Sequence, residues 1–248
     1  MKDIHNHILY NIDDGSNSYQ KSIEILNNLE QRGVTDIVAT PHYIIGTNYN
    51  SDNKKKLELL NKLKGETNIN LYIGNEVYLD TDILEYINNK QISTINNSRY
   101  LLVELPLNEK LECANEIIFE LRNNDIVPVL AHPERYHYLT LDALRKFIDQ
   151  GCLLQGNLPS LLGKYGKEAK DNLKLLLKKR MIHVLGTDTH LTSNIDIEKC
   201  LEILKQLVDE DIYLDLVERN FDRIINNEKI ISYEIIDKKH WFKKEKIK

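Results

Sequence analysis

Histidines and carboxylates recur along this chain at short spacings, each group closing a brief apolar run. His5-Asn6-His7 stands near the start, and Asp188-Thr189-His190 repeats the spacing far along the chain with a carboxylate in place of one imidazole. Alternate side chains of an extended strand point to the same side, so each pair can turn two donors toward one ion. Between them come His42 after Thr40-Pro41, Glu76 after Asn75, Glu104 after Val103, and His132 and Arg135 in Ala131-His132-Pro133-Glu134-Arg135. An Asp13-Asp14-Gly15 turn adds a further carboxylate. A lone His is more often structural than a ligand, and a lone Glu at a strand end is usually solvated. The joint pattern carries the argument, because five of the eight histidines (His5, His7, His42, His132 and His190) fall where an apolar run stops. His137, His183 and His240 do not, and no ligand role is expected of them.

Imidazole and carboxylate without thiolate suits Mn²⁺, Fe²⁺ or Zn²⁺ and excludes thiolate-rich structural zinc. The donors are too many for one ion and suffice for two or three, with a carboxylate such as Glu76 bridging. Ions about 3.5–4 Å apart can activate a water and neutralise the attacking and leaving oxygens of a phosphoester. The chemistry expected is metal-dependent phosphoester hydrolysis.

Such donors need elements to hold them. Strands are expected over Asp3–Ile8, Asp36–Thr40, Leu71–Val77, Tyr100–Leu105, Val127–Ala131, Cys152–Gln155 and His183–Gly186. Helical apolar spacing marks Ser22–Gln31, Asn53–Lys64, Glu112–Asn123, Leu141–Gln150 and Glu168–Arg180. Gly33, Asn123 and Gly151 read as left-handed helix ends. Seven β units alternating with helices imply α/β architecture with a parallel sheet closed into a barrel, whose site lies where strands end. One domain over residues 1–237 is expected, followed by a basic tail over 238–248.

Composition sets the remaining bounds. With 248 residues, 42% hydrophobic and 29% charged, the chain has the make-up of a globular protein large enough for a full barrel core. Neither a signal peptide nor an apolar membrane-spanning run is apparent, so a cytoplasmic location is expected. The net charge of −5 gives no general reason to expect nucleic-acid binding. The tail is the exception in charge, with six Lys against one Glu. A solvated tail is the plainer reading, and a weak contact with anionic membrane, aided by Trp241, Phe242 and Ile247, the sharper one. Cys113, Cys152 and Cys200 are scattered and odd in number, which argues against a disulfide framework. A thiol phosphatase needs an Arg six residues after its cysteine, and Phe119, Leu158 and Gln206 stand there instead.

Taken together these segments resemble the PHP (polymerase and histidinol phosphatase) superfamily. Within it the chain is similar to the manganese-dependent protein-tyrosine phosphatases of bacterial capsule and exopolysaccharide operons, the CpsB, CapC and YwqE group. The carriers are Asp3-Ile4-His5-Asn6-His7, Asp13-Asp14-Gly15, Gly33-Val34-Thr35, His42, Gly74-Asn75-Glu76, Ser98–Glu104, Ala131–Arg135 and Asp188-Thr189-His190. The resemblance implies a distorted (β/α)7 barrel of PHP type. It implies a first ion on His5, His7, Glu76 and Asp188, a second on Glu76, Glu104 and His132, and a third on Asp14, His42 and His190. Asp14 rather than Asp13 is chosen by analogy alone. Arg135 matches a phosphate-binding Arg, and its plainer reading is an ion pair with Glu134 or a helix-end carboxylate. Arg135, Glu76 and Asp188 are the catalytic candidates. The implied substrate is a phosphotyrosine protein, the tail of a capsule-regulating tyrosine kinase, and the alternative is a small phosphomonoester such as histidinol phosphate. A non-catalytic scaffold is disfavoured by the complete donor set, and an amidohydrolase by the lack of a strand-end Lys. The physiological metal and the oligomeric state are not set by the sequence. One departure stands out: the family usually carries an Arg five residues beyond the last ligand His, where this chain has Ile195. Either another basic residue replaces it, or phosphate is held more weakly.

Overall fold

Strands in this chain are short and mostly buried, as expected of parallel strands covered on both faces. A computed structural model describes residues 1–191 and 195–236. In chain order the elements are β1 Lys2–Asn6, α1 Tyr19–Gln31, β2 Asp36–Ala39, β3 His42–Tyr43, α2 Asn53–Lys64, β4 Asn70–Ile73, β5 Glu76–Tyr78 and α3 Ile83–Asn88. They continue with β6 Tyr100–Glu104, α4 Ala114–Asn123, β7 Val127–Ala131, α5 Leu141–Asp149, β8 Leu153–Asn157, α6 Gly166–Lys178, β9 Val184–Gly186, α7 Ile197–Lys205, α8 Glu210–Leu214 and α9 Asn220–Ile225. No helix among the described residues is long and apolar enough to cross a membrane. The basic tail lies outside the described residues.

All strand pairs are parallel, in two sheets ordered β1-β2-β4 and β3-β5-β6-β7-β8-β9. The sheets meet at both ends. On one side β4 runs into β5 through Gly74-Asn75. On the other, a parallel bridge joins Asn6 to Thr189, with His7 N–H donating to Thr189 O at 3.0 Å and Asp188 N–H to His5 O at 2.9 Å. The result is the α/β architecture with parallel strands that was expected, with the two sheets brought edge to edge by this bridge. Inside it Ile4, Val38, Tyr100, Leu102, Val129, Leu153 and Val184 pack with Phe221 and Ile224 of α9, and a larger apolar cluster fills the space between strands and helices.

Three local expectations need correction. The run Leu71–Val77 is not one strand, because the chain bends at Gly74-Asn75 and passes from β2 to a new neighbour, β6. The Asn75 side chain holds that bend, donating to Pro41 O at 3.0 Å while its Oδ1 accepts from Ser93 N–H at 2.9 Å. The two-residue strand β3 was not anticipated, since Pro41-His42-Tyr43 has too little pattern to register. After α4 the left-handed residue is Asp125 (φ 57°), not Asn123, whereas Gly33 and Gly151 do adopt positive φ.

Candidate metal centre

The expected donors converge on one place in the fold. His5 and His7 do so from a segment that carries an irregularity. Three residue steps separate Asp3 from Asn6 in β1, while two separate their partners Ile37 and Ala39 in β2, so β1 carries a bulge. Bulges break alternation and re-aim side chains. Ile4 accordingly packs in the inner apolar cluster, yet both histidines still turn into the site. Asp3, fully buried, fastens the segment by accepting from Thr187 N–H at 2.8 Å, Asn6 Nδ2 at 2.9 Å and His5 N–H at 3.2 Å. This ties the first strand to the turn that carries Asp188.

His5 Nε2 lies 3.1 Å from His7 Nε2 and 3.2 Å from Glu76 Oε2, and His7 Nε2 lies 3.3 Å from the same oxygen. Asp188 Oδ1 is 3.6 Å from His5 Nε2, 3.5 Å from His7 Nε2 and 3.3 Å from His190 Nδ1. His132 Nε2 is 3.0 Å from Glu76 Oε1 and 3.5 Å from Glu104 Oε1. Asp14 Oδ1 is 3.4 Å from both His42 Nε2 and His190 Nε2. All nine expected donors are therefore brought together, and the two oxygens of Glu76 face different partners. His42 faces two groups, with Nδ1 3.0 Å from Glu76 Oε2 but lacking hydrogen-bond geometry.

These residues fit divalent ions. Metal–ligand bonds of about 2.0–2.2 Å place neighbouring donors roughly 3–3.5 Å apart, which is the spacing found here. The outward nitrogens of two of the histidines are occupied: His5 Nδ1 meets Gln155 Oε1 at 2.9 Å and His7 Nδ1 meets Asp13 Oδ2 at 2.8 Å. Such bonds fix the tautomer and aim each Nε2 lone pair inward. Asp13 and Asp14 thereby separate in role. The side chain of Asp13 is fully buried behind His7, and that of Asp14 is 53% exposed with an oxygen on the donor cluster.

Charge tells the same story. Burial opposes a charged His5, but the Glu76 and Asp188 carboxylates hold its pKa up to about 9, and His7 is raised by Asp13 against burial in the same way. Burial works against ionised Glu76 and Asp188 too, yet neighbouring imidazoles keep both well below the usual carboxylate range. Burial and the Glu76 charge push Glu104 up to about 8. A site that draws protons this strongly is one that rewards bound cations. His132 and Asp188 sit in the left-handed region at φ 36° and 48°, a conformation that costs non-glycine residues and clusters at functional sites.

Asp188 divides its oxygens. Oδ1 faces the imidazoles, and Oδ2 accepts from Asn157 Nδ2 at 2.8 Å, Arg135 at 3.1 Å and the Tyr165 hydroxyl at 3.1 Å. Arg135 thus pairs with Asp188 and not with Glu134, whose Oε1 turns away to Asn157 N–H and Ser160 Oγ. Gln155, Asn157 and Tyr165 were missed in the sequence. The first two close strand β8 as polar residues after an apolar run, the same signal as the other strand ends but in residues that are not ligand types. Tyr165 had no local signal at all. His183 takes no part in the cluster: it precedes β9, and its Nδ1 accepts from Leu154 N–H at 3.0 Å. Ile195 is buried in the apolar core.

A parallel α/β fold whose imidazoles, carboxylates and one guanidinium gather at strand ends and in the turns beside them defines a class of metal-centred α/β proteins. Residues 1–226 match the family described as capsular polysaccharide synthesis, CpsB/CapC, and the chain belongs to that family. CapC of Staphylococcus aureus is 36% identical over 258 aligned positions, covering 98% of this chain and 99% of CapC. The tyrosine-protein phosphatase YwqE of Bacillus subtilis (strain 168) is 28% identical over 93% of each chain. Crystal structures of YwqE and of CpsB from Streptococcus pneumoniae, described as metal-dependent tyrosine phosphatases, supply a match with TM-score 0.85 and 25% identity, covering 96% of this chain and 100% of that one.

Proposed function

We propose that this chain is a metal-dependent protein-tyrosine phosphatase acting on a tyrosine kinase that regulates capsule or exopolysaccharide synthesis. The observation that carries the reading is the guanidinium of Arg135 set against Asp188, at the edge of nine converging donors. Membership of the capsular family supports the kinase as partner, and the described activity of YwqE and CpsB supports phosphotyrosine as substrate.

His5, His7, Glu76 and Asp188 would hold one ion, Glu76, Glu104 and His132 a second, and Asp14, His42 and His190 a third. Mn²⁺ suits this mixed imidazole and carboxylate set, and Fe²⁺ or Zn²⁺ would fit the same donors. When bound, such ions supply an activated water and neutralise charge on phosphate oxygens. Glu76 would share its two oxygens between sites, and Asp188 would keep one oxygen for an ion while the other stays fastened to Arg135, Asn157 and Tyr165. Arg135 would then bind a non-bridging phosphate oxygen with the nitrogens not committed to Asp188. Burial pushes the Cys152 and Cys200 thiols up to about 12, so neither is a nucleophile at neutral pH.

The test is a side-by-side assay of phosphotyrosine peptide and histidinol phosphate with metals varied. Faster turnover of the peptide is expected. The reverse order would overturn the substrate assignment and leave the metal chemistry standing.

A further inference from the structure

A second cation stands at the rim beside Arg135. Lys164 and Tyr165 occupy the turn before α6, between Gly163 (φ 87°) and Gly166 (φ 95°), whose left-handed conformations suit glycine and bend the chain sharply there. The Tyr165 hydroxyl donates to Asp188 Oδ2 at 3.1 Å, which anchors the ring to the donor cluster. The Arg135 guanidinium carbon lies 4.4 Å from the centroid of that ring, and Lys164 Nζ lies 5.2 Å from the same centroid. Two cations thus share one aromatic ring whose hydroxyl touches a site carboxylate.

Lys164 is exposed, and among the described residues its ammonium has no hydrogen-bond or carboxylate partner. The rim still shields its ammonium partly from water, and this burial lowers the pKa of its amine, with Asp188 opposing and Arg135 adding to the fall. A phosphate monoester brings about two negative charges at neutral pH. Arg135 supplies one positive charge and has a nitrogen committed to Asp188. The ring holds Lys164 close to the cluster by cation–π attraction while leaving its three N–H donors unspent.

We infer that Lys164 is a second phosphate-binding residue of this site, gripping the substrate phosphate together with Arg135 from the Tyr165 side. The inference rests on the reading that a phosphate is bound at the cluster, and it is indifferent to whether the ester is aryl or alkyl. Lysine serves here as a point charge, in contrast to the planar fork of Arg135.

The experiment measures binding of inorganic phosphate to the Mn²⁺-loaded full chain by calorimetry at several salt concentrations, for wild type, Lys164→Gln and Lys164→Arg. Lys164→Gln is expected to bind phosphate about tenfold more weakly, as befits one lost hydrogen bond to a charged group, and with a shallower salt dependence. Lys164→Arg is expected to stay within a few-fold of wild type, with metal content and melting temperature unchanged in both variants. Equal affinity in Lys164→Gln and wild type would overturn the inference. So would a loss of affinity accompanied by loss of metal, since Lys164 would then be acting through Tyr165 and Asp188. No measurable phosphate binding by wild type would overturn it as well. Should histidinol phosphate prove the better substrate, the tyrosine assignment fails, and the calorimetry still decides the role of Lys164.

Discussion

Asp13 Oδ2 meets His7 Nδ1 at 2.8 Å, and the same oxygen accepts from His42 N–H at 3.0 Å. One buried carboxylate therefore orients an imidazole of the cluster and pins the backbone of a second donor. Removing a partner of this kind typically costs 10–100-fold in metal affinity, by rough precedent. Asp13→Ala should lose metal affinity in about that range, measured by titration, while Asp13→Asn should lose less because it keeps a polar contact. Unchanged affinity in Asp13→Ala would show that His7 is held by packing alone.

Chelation should abolish phosphatase activity, and Mn²⁺ should restore it better than Mg²⁺, because imidazole-rich sites disfavour a hard, oxygen-seeking ion. Glu76→Ala should be nearly inactive even with metal in excess, since Glu76 faces His5, His7, His42 and His132 at once. Retained turnover in excess chelator after dialysis would refute a metal mechanism.

Arg135→Lys should lose a substantial part of kcat/KM, because an ammonium keeps the charge without the planar fork and gives up part of the stacking on Tyr165. The same site should favour aryl over alkyl phosphates. A phenolate leaving group has a conjugate-acid pKa near about 10 and needs less protonation than an alkoxide. Kinetics on a matched pair of esters decides the point, and equal rates would indicate a proton donor at the leaving group.

Ile195→Arg tests whether this position can supply a second phosphate residue. With Ile195 only 4% exposed in the core, the substitution forces a charge into apolar surroundings. A loss of roughly 3 kcal/mol or more is expected in denaturant unfolding, with no gain in phosphate affinity. Improved affinity in a stably folded variant would place the side chain at the site instead.

Lys56 gives a pH prediction from a group that is not itself a metal ligand. Its side chain is fully buried and its Nζ donates to Ser93 Oγ at 3.1 Å and to Asn75 Oδ1. Burial lowers its pKa from 10.5 to about 7. Between those values the unfolded chain binds more protons than the folded one, so this group makes stability rise with pH from about 7 toward 10.5. Lys56→Met should lack that increment, and Asn75 Oδ1 would still accept from Ser93 N–H. Denaturation of both metal-free proteins at pH 7 and at about pH 9.5 isolates the term. Parallel stability curves would mean that Lys56 titrates near its ordinary value.

The donor residues and the parallel α/β order were legible in the sequence because both are written locally. A strand announces itself by a short apolar run, and a donor by its type at the end of that run. His5, His7, Glu76, Glu104, His132, Asp188 and His190 each needed only that rule. The absence of Arg at position 195 was likewise visible in one residue. Tertiary structure decided what depends on contacts between distant segments. It separated Asp14 from Asp13 by turning one into solvent and burying the other behind His7. It split Leu71–Val77 at Gly74-Asn75, where a change of strand neighbour, not a change in local pattern, ends the first strand. It placed the bulge between Asp3 and Asn6 in β1, a matter of register against β2. It also drew Gln155, Asn157, Tyr165 and Lys164 from β8 and the turn before α6 to the edge of a cluster whose other members begin at residue 5. Spacing along the chain can suggest ligands, but only the packing of distant segments determines which side chains stand behind them.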